Sequence, residues 1–258
     1  MAAPALVLLA DGSTDPRVTH VAHSLRVALQ GQRPELSVNT AFIDHCPPTG
    51  PQVVSQLVSR GTPEIVFVPL SLTPTTQSEA AVDEVVARVK ATHPGVRFAA
   101  ARPIGPSATL LKVIDTRLRT ALAEAHVLEL DGLVLSAESH GDVRGSAVVS
   151  RRVRQWSTHH KLPCVAAASD GTGPTTAQAI ATLRSQGKRH VAVGSFFLTG
   201  DDAYNRQAQL AVQAGAVAVS APIGADAEAL DLVLARYAFA AMELLDFGFD
   251  DDLAVATA

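Results

Sequence analysis

Two acidic residues, Asp11 and Glu138, occupy equivalent positions in two similar stretches of the sequence. ADGSTDPR at residues 10–17 aligns with AESHGDVR at residues 137–144, and each stretch follows a short apolar run. A carboxylate in such a polar loop is either a turn former that bonds its own backbone or a reactive group that binds a divalent cation through oxygen. Both interpretations stay open for both residues at this point.

Common cofactor and metal motifs are missing from the sequence. DGST lacks the spacing of a phosphate loop, GxGxxG is absent, and GTG at residues 171–173 is too short to replace it. No pair of CxxC or HxxxH elements indicates a structural zinc, and no histidine is singled out as a partner for Ser13 or Ser139. We therefore expect no organic cofactor, and nothing supports a hydrolase.

Short β-rich runs alternate with helical patterns, and this order determines where the two loops lie. Leu6–Leu9 and Ile65–Val68 are typical of strands, whereas apolar residues between Val18 and Leu29 recur on one helical face. Strands that alternate with helices predict a mostly parallel sheet with helices on both faces. The loops at the carboxyl ends of such strands form the ligand crevice, and both Asp11 and Glu138 fall in loops of this kind.

The order of motifs in the first half recurs in the second half. GTPEIVFVPLSL from Gly61 aligns with GKRHVAVGSFFL from Gly187, and PIG occurs at both Pro103 and Pro222. Landmarks that repeat in one order predict an α/β protein with two similar lobes, each a mostly parallel four-stranded sheet with helices on both faces. The expected parts are residues 1–126 and 132–245 for the lobes and 246–258 for an acidic tail that frays.

The composition is that of a globular protein whose core consists of small aliphatic residues. Of the 258 residues, 47% are hydrophobic, 18% charged and 4% aromatic. A net charge of −4 without lysine-rich runs argues against nucleic acid or anionic lipid as a partner. No apolar run approaches the roughly 20 residues of a membrane span. MAAPALVLLA is interpreted as a strand rather than an export signal, so we expect a cytoplasmic protein with reduced thiols at Cys46 and Cys164.

Several motifs together resemble the sirohydrochlorin chelatase family of class II chelatases. In the first half they are the first strand with its polar loop, FID before prolines at residues 42–48, FVPLSL at residues 67–72, and HPGV followed by RPIGP at residues 93–106. In the second half, residues 169–200 resemble the family as well. The resemblance covers nearly the whole chain and corresponds to the long, two-lobed form.

The resemblance implies insertion of a divalent metal, Co²⁺ or Fe²⁺, into sirohydrochlorin, a polycarboxylate tetrapyrrole, in siroheme or cobalamin biosynthesis. Members of the family carry a histidine in the loop after the first strand and another in the loop after the third strand. Imidazole can bind the incoming ion and can accept protons from pyrrole nitrogens. In the first lobe of this chain, Asp11 stands at the first histidine position and Gln77 at the second. In the second lobe, the corresponding residues are Glu138 and Ala203.

The residues at these positions predict that carboxylates, instead of imidazoles, bind the metal and accept the pyrrole protons. Asp11 and Gln77 are the expected metal ligands, through a carboxylate and a carbonyl oxygen. Asp11, Glu138 and His140 are the candidate catalytic residues that would accept pyrrole protons. A carboxylate is a poor base at neutral pH unless burial or another carboxylate raises its pKa. For Gln77 the alternative is simple polarity at a helix start, and for His140 it is an ordinary loop position.

Arginine pairs bidentately with carboxylates, so Arg17, Arg102 and Arg144 are the candidate substrate-binding residues, with surface placement as the alternative for each. A downstream enzyme of the same pathway is a further expected partner.

His159 and His160 end a helix rich in arginine, where cations suit the negative end of the helix dipole. The rival hypothesis is a noncatalytic tetrapyrrole or metal carrier, or a partner subunit, that has the fold without its catalytic ligands.

Overall fold

Eight strands and eight helices alternate along the part of the chain that the computed structural model describes, residues 3–73 and 75–255. The strands are β1 (Ala5–Ala10), β2 (Val38–Phe42), β3 (Glu64–Pro69), β4 (Arg97–Ala100), β5 (Gly132–Ala137), β6 (Cys164–Ala168), β7 (Val191–Phe196) and β8 (Ala218–Val219). The helices are α1 (Pro16–Gln32), α2 (Gly50–Ser59), α3 (Thr76–Thr92), α4 (Leu110–Glu124), α5 (Val143–His160), α6 (Thr176–Ser185), α7 (Asp202–Gln213) and α8 (Ala227–Val255). None of the helices in the described part combines the length and the apolar content that crossing a bilayer requires.

The strands form two parallel sheets with the same internal order. The first sheet has the order β2-β1-β3-β4 and the second β6-β5-β7-β8. In the first sheet, Leu6 of β1 lies between Val38 and Val66 of the neighbouring strands. The repeated order confirms the predicted fold class, two similar lobes that each contain a four-stranded parallel sheet.

The first sheet belongs to a compact unit made of the residues up to Ser71, Gln77–Ile104 and the chain from Leu230 onward. Side chains alternate along β1, so Val7 packs on one face with buried valines of α2 and α3. Leu8 points to the opposite face, where α1 packs against the sheet. Helices therefore cover both faces of this sheet, as the sequence predicts.

The second sheet belongs to a unit that contains Gly105–Ala229. Buried residues of α6 and α7 pack against Val134 and Val193 on one face. On the other face, α4 and α5 approach closely at Gly194, where a Cβ atom would lie 2.4 Å from the ring of Trp156 and 2.7 Å from Ile114. The absence of a side chain at this position lets both helices lie directly on the strand.

Two helices belong to a different unit from the one expected from the sequence, where the lobes were residues 1–126 and 132–245. Helix α4 follows the first sheet in sequence but packs against β7 of the second unit, and α8 follows the second sheet but lies in the first unit from Leu230 onward. Each helix buries an apolar face there, for example Val233, Ala240 and Leu244 of α8. Helix α8 also continues through residues 246–255 of the expected acidic tail, so this part is helical, while residues 256–258 lie outside the described residues.

Candidate active site

A cavity of about 230 Å³ opens in the first unit at the carboxyl ends of β1, β3 and β4. Its lining contains residues that directly follow these three strands, together with the start of α3. The polar lining residues are Asp11, Ser71, Ser78, Glu79, Asp83 and Arg102, and the apolar ones include Leu9, Ile43, Val82 and Pro103. This is the position at which open parallel sheets bind ligands, because strand ends and helix starts converge there.

Asp11 is the first residue after β1 and lies at this cavity. Its side chain keeps contact with solvent, yet the surrounding protein removes enough water to raise the pKa of the carboxyl group above its ordinary value. The nearby Asp44 carboxylate raises this pKa further. A cation bound between the two carboxylates would relieve their repulsion, so the pair favours a positively charged ligand.

Gly12 allows the loops after β1 and β2 to approach each other. A Cβ atom at Gly12 would lie 1.6 Å from the main-chain oxygen of Asp44 and 3.1 Å from its Oδ1 atom. The amide of Ile43 donates a hydrogen bond to the carbonyl of Ala10 at 3.0 Å, which holds the two strand ends together. The glycine in the DGST motif is therefore required for the proximity of Asp11 to Asp44.

We expect Gly12→Ala to lower the free energy of unfolding by about 1–3 kcal/mol, the usual cost of overpacking a close contact. The new methyl group collides with main-chain atoms, which cannot move aside as a flexible side chain would. Chemical denaturation measures the effect. The matched control is Gly95→Ala, because a Cβ atom there meets nothing within 4 Å. Equal stability of the two variants would contradict the close approach of the two loops.

Helix α3 contributes the other acidic residues of the cavity. Glu79 and Asp83 are four positions apart and so lie on one side of the helix, with buried Val82 beside them. Gln77 is exposed and is not part of the cavity lining. Sequence reasoning singled out Gln77 and missed the two carboxylates, although their spacing around an apolar helix position was visible.

The three candidate arginines have different surroundings. Arg102 follows β4 and lines the cavity together with Asp11. Arg17 pairs with Asp15, the N-cap of α1, with 2.6 Å between Nη2 and Oδ2. Arg144 is exposed at the start of α5. Among the three, Arg102 is the one that lines the same cavity as Asp11.

The two remaining candidates, Glu138 and His140, belong to the second unit. Glu138 is exposed after β5, and its carbonyl oxygen accepts a hydrogen bond from the Ser169 hydroxyl at 2.7 Å. His140 is buried, with its ring close to Gly173, where a Cβ atom would lie only 2.4 Å away. Its Nε2 atom has no hydrogen-bond partner among the described residues. The exposed carboxylate is thus more accessible to a ligand than the imidazole.

No set of three His, Cys, Asp or Glu ligand atoms in the described part of the cavity lies within mutual coordination distance. The carboxylates of Asp11, Glu79 and Asp83 line the cavity without forming a closed metal cage. A permanently bound structural ion would require a complete ligand set.

The chain is thus an α/β protein with two parallel sheets and a polar cavity at the strand ends of its first unit. A family model described as CbiX matches residues 5–121. A sirohydrochlorin cobaltochelatase from Priestia megaterium is 29% identical over 82 residues, which are 32% of this chain and 27% of that protein. The match thus spans about a quarter of the relative's length.

The fold is similar to that of SirB from Bacillus subtilis with Fe³⁺, at a TM-score of 0.75 and 18% identity over 93% of this chain and 96% of the other. The sirohydrochlorin chelatase SirB from Bacillus subtilis subspecies spizizenii in complex with cobalt gives a TM-score of 0.75 at 17% identity, with the same coverage. These structural likenesses show the fold. The family model matches residues 5–121 of the chain, which include the strands of the first sheet.

Proposed function

We propose that this protein inserts Co²⁺ or Fe²⁺ into sirohydrochlorin, in siroheme or cobalamin biosynthesis, with Asp11 as a ligand of the incoming ion. The observation that carries the proposal is the cavity at the strand ends, where Asp11 lies with two carboxylates of α3 and with Arg102. The match of residues 5–121 to the CbiX family model supports the reaction class. The metal ion is a substrate in this proposal, since it leaves in the product.

The acidic groups of the cavity explain how the ion is received. Oxygen ligands accept hard and borderline divalent cations, and several carboxylates raise the local concentration of such ions. Desolvation raises the pKa of Asp11 most, and the Asp44 charge adds to it, so the two carboxylates repel each other before the ion binds. The site therefore attracts the cation without enclosing it, which leaves coordination positions open for pyrrole nitrogens.

The same carboxyl group is suited to proton transfer. Pyrrole nitrogens must lose their protons when the metal enters, and a carboxylate is a better acceptor when its pKa lies above the ordinary value. Desolvation and the Asp44 charge raise the pKa of Asp11 in this direction. Glu138 and His140 are proposed as further acceptors, with Glu138 favoured because its side chain is exposed.

The size of the cavity limits which part of the substrate it holds. Sites for drug-sized ligands usually measure about 300–1,000 Å³, and about 230 Å³ is available here. The cavity can therefore hold the ion and one edge of the macrocycle, but not the whole ring. Arg102 lines the cavity and is proposed to pair with a peripheral carboxylate of that edge. Arg17 and Arg144 are proposed to bind carboxylates outside the cavity.

Replacing Arg102 with glutamine is expected to raise the KM for sirohydrochlorin about tenfold, the cost of about 1.4 kcal/mol for losing a charge-assisted pair. kcat is expected to change less, because the guanidinium binds the substrate rather than the reacting atoms. Steady-state kinetics separate the two parameters. Arg60→Gln, at the exposed end of α2, is the control. A fall in kcat at constant KM would contradict the assigned role.

A turnover count tests the proposal itself. Limiting protein is mixed with excess sirohydrochlorin and Co²⁺, and the metallated product is quantified by its absorbance against a reaction without protein. An enzyme yields many equivalents of product per protein chain above that background. A yield at the background level would reject the proposal.

One observation favours a second candidate, a noncatalytic carrier of tetrapyrrole or metal. Asp11 occupies the family's histidine position, and Gln77, at the other one, lies outside the cavity lining. A carrier binds sirohydrochlorin in a defined ratio to the protein and leaves the metallation rate unchanged. Fluorescence titration of the tetrapyrrole, combined with the turnover count, separates the carrier from the enzyme.

The raised pKa of Asp11 also predicts a pH effect on stability. Between the ordinary pKa of 3.8 and the higher value in the folded protein, the folded state binds more protons than the unfolded state. Stability then decreases as the pH rises through this window, and the charged carboxylate remains unfavourable to folding at neutral pH.

Asp11→Asn is therefore expected to raise the free energy of unfolding at pH 7 by up to about 0.5 kcal/mol, a small gain because the side chain is exposed and screened. The gain should disappear below pH 3.8, where Asp11 is protonated in both states. Urea denaturation at the two pH values measures this difference. A variant that is less stable than the parent protein at pH 7 would contradict the stated cause of the pKa shift.

A further inference from the structure

The second unit contains a group of potential metal ligands that the proposed reaction does not use. Asp115 lies on α4, and His159 and His160 are the last two residues of α5. One ligand atom from each of the three residues lies within 4.8 Å of the others, and this is the one such group of three among the described residues. We propose that these side chains bind a borderline divalent cation such as Zn²⁺ or Co²⁺ at a site separate from the cavity around Asp11.

The distances are close to those of a coordination sphere. His160 Nε2 lies 2.7 Å from Asp115 Oδ1, where the two side chains form a hydrogen bond that an entering ion would replace, and His159 Nε2 lies 3.9 Å from Asp115 Oδ2. Ligand atoms around a tetrahedral Zn²⁺ are about 3.4 Å apart, since each is about 2.0–2.2 Å from the ion. The two observed separations lie on either side of this value. To surround an ion, the pair of His160 and Asp115 would move slightly apart and the exposed His159 side chain would rotate inward.

Neighbouring residues hold two of the three ligands in place. The indole Nε1 of buried Trp156 donates a hydrogen bond to Asp115 Oδ1 at 2.5 Å, which fixes the carboxylate and leaves Oδ2 facing His159. The ring of His160 packs edge-on against the same indole, with 5.5 Å between the ring centres. Metal sites generally orient their ligands through such outer contacts. A site with these contacts is largely formed before the ion arrives.

The exposure of the ligands indicates an open site. Asp115 and His160 have side chains that are 11% and 24% exposed, whereas that of His159 is 65% exposed. A cavity of about 330 Å³ adjoins the group and is lined by Asp115, Trp156 and His159 among others. Three protein ligands with a solvent-facing fourth position are typical of sites that exchange a ligand or the metal.

The charges around the group determine what fills the fourth position. The carboxyl end of α5 carries the negative end of the helix dipole, which favours a cation at His160. Arginine side chains line the adjoining groove beside His159, namely Arg151, Arg152 and Arg154. Their positive charge favours an anion over neutral water as the remaining ligand of the bound metal.

Cobalt absorption tests the site independently of the metallation reaction. Co²⁺ is added to the Asp11→Asn protein, in which the first cavity has lost its proposed ligand, and the visible bands of four- or five-coordinate Co²⁺ are recorded. Equilibrium dialysis gives the stoichiometry and the affinity. We expect one bound Co²⁺ per chain with intensified bands, and displacement by Zn²⁺.

His159→Ala in the same background should weaken Co²⁺ binding at least about tenfold and abolish the bands, because it removes a ligand while leaving the contact between Asp115 and Trp156. His20→Ala, an exposed histidine of α1, is the matched control and should change neither readout. Asp115→Asn, with a thermal melt to confirm folding, is the second variant. Unchanged Co²⁺ spectra and stoichiometry in both His159→Ala and Asp115→Asn would overturn the proposal, whether or not the protein is a chelatase.

Discussion

Replacement of Asp11 with asparagine is expected to slow Co²⁺ insertion into sirohydrochlorin by a factor of about 10² or more, the usual cost of losing a group that takes part in proton transfer. The amide keeps the size of the carboxylate but removes its charge and its capacity to accept a proton. Because Asp11 lies at the cavity with a raised pKa, both losses act where the metal and the pyrrole nitrogens would meet. Initial rates at saturating substrate measure the effect.

The control for this substitution is Glu84→Gln, which removes a negative charge from the exposed side of α3. Its side chain is 71% exposed and pairs with Arg88 rather than with a cavity residue. We expect less than a twofold change in rate for this variant, in keeping with the small contribution of exposed ion pairs. A similar fall in both variants would mean that net charge, rather than Asp11, determines the rate.

The double substitution Asp11→His with Gln77→His is expected to lower the metallation rate at least about tenfold, even though it restores the residues that the family carries. Position 77 is exposed and outside the cavity lining, so a histidine there is not directed at the ion. Position 11 would meanwhile lose the carboxylate that forms the acidic pair with Asp44. The measurement is the same rate assay, with Asp11→His alone as the matched comparison.

The double variant also separates the two candidate functions. Loss of an existing activity supports a mechanism that depends on the carboxylate. Gain of activity in a protein that had none supports the carrier, because it would show that only the missing imidazoles prevented turnover. A thermal melt of each variant confirms that the protein is folded.

Much of the fold could be predicted from local pattern alone. The apolar runs at β1 and β3 and the apolar helix faces between them specify a parallel sheet covered by helices, and the repeat of these motifs in the second half specifies a second sheet. The exchange of α4 and α8 between the two units could not be predicted. An apolar face indicates that a helix is buried, but not which of two similar sheets it covers.

The position of Asp11 at the end of β1 followed from the sequence, because the end of an apolar run defines the loop in which it lies. The proximity of Asp11 to Asp44 could not be predicted from the sequence, because it depends on how closely the two loops approach each other at Gly12. The carboxylates of Glu79 and Asp83 were also missed, because the family position drew attention to Gln77 instead. Burial of the His140 ring likewise depends on tertiary packing near Gly173, which no local pattern specifies.

The most direct test of metal insertion by Asp11 is the initial rate of Co²⁺ insertion into sirohydrochlorin, recorded side by side for the parent protein, Asp11→Asn and a mixture without protein. We expect a parent rate well above both of the others, with Asp11→Asn close to the protein-free reaction. A parent rate equal to the protein-free rate, or an Asp11→Asn rate equal to that of the parent, would contradict this expectation.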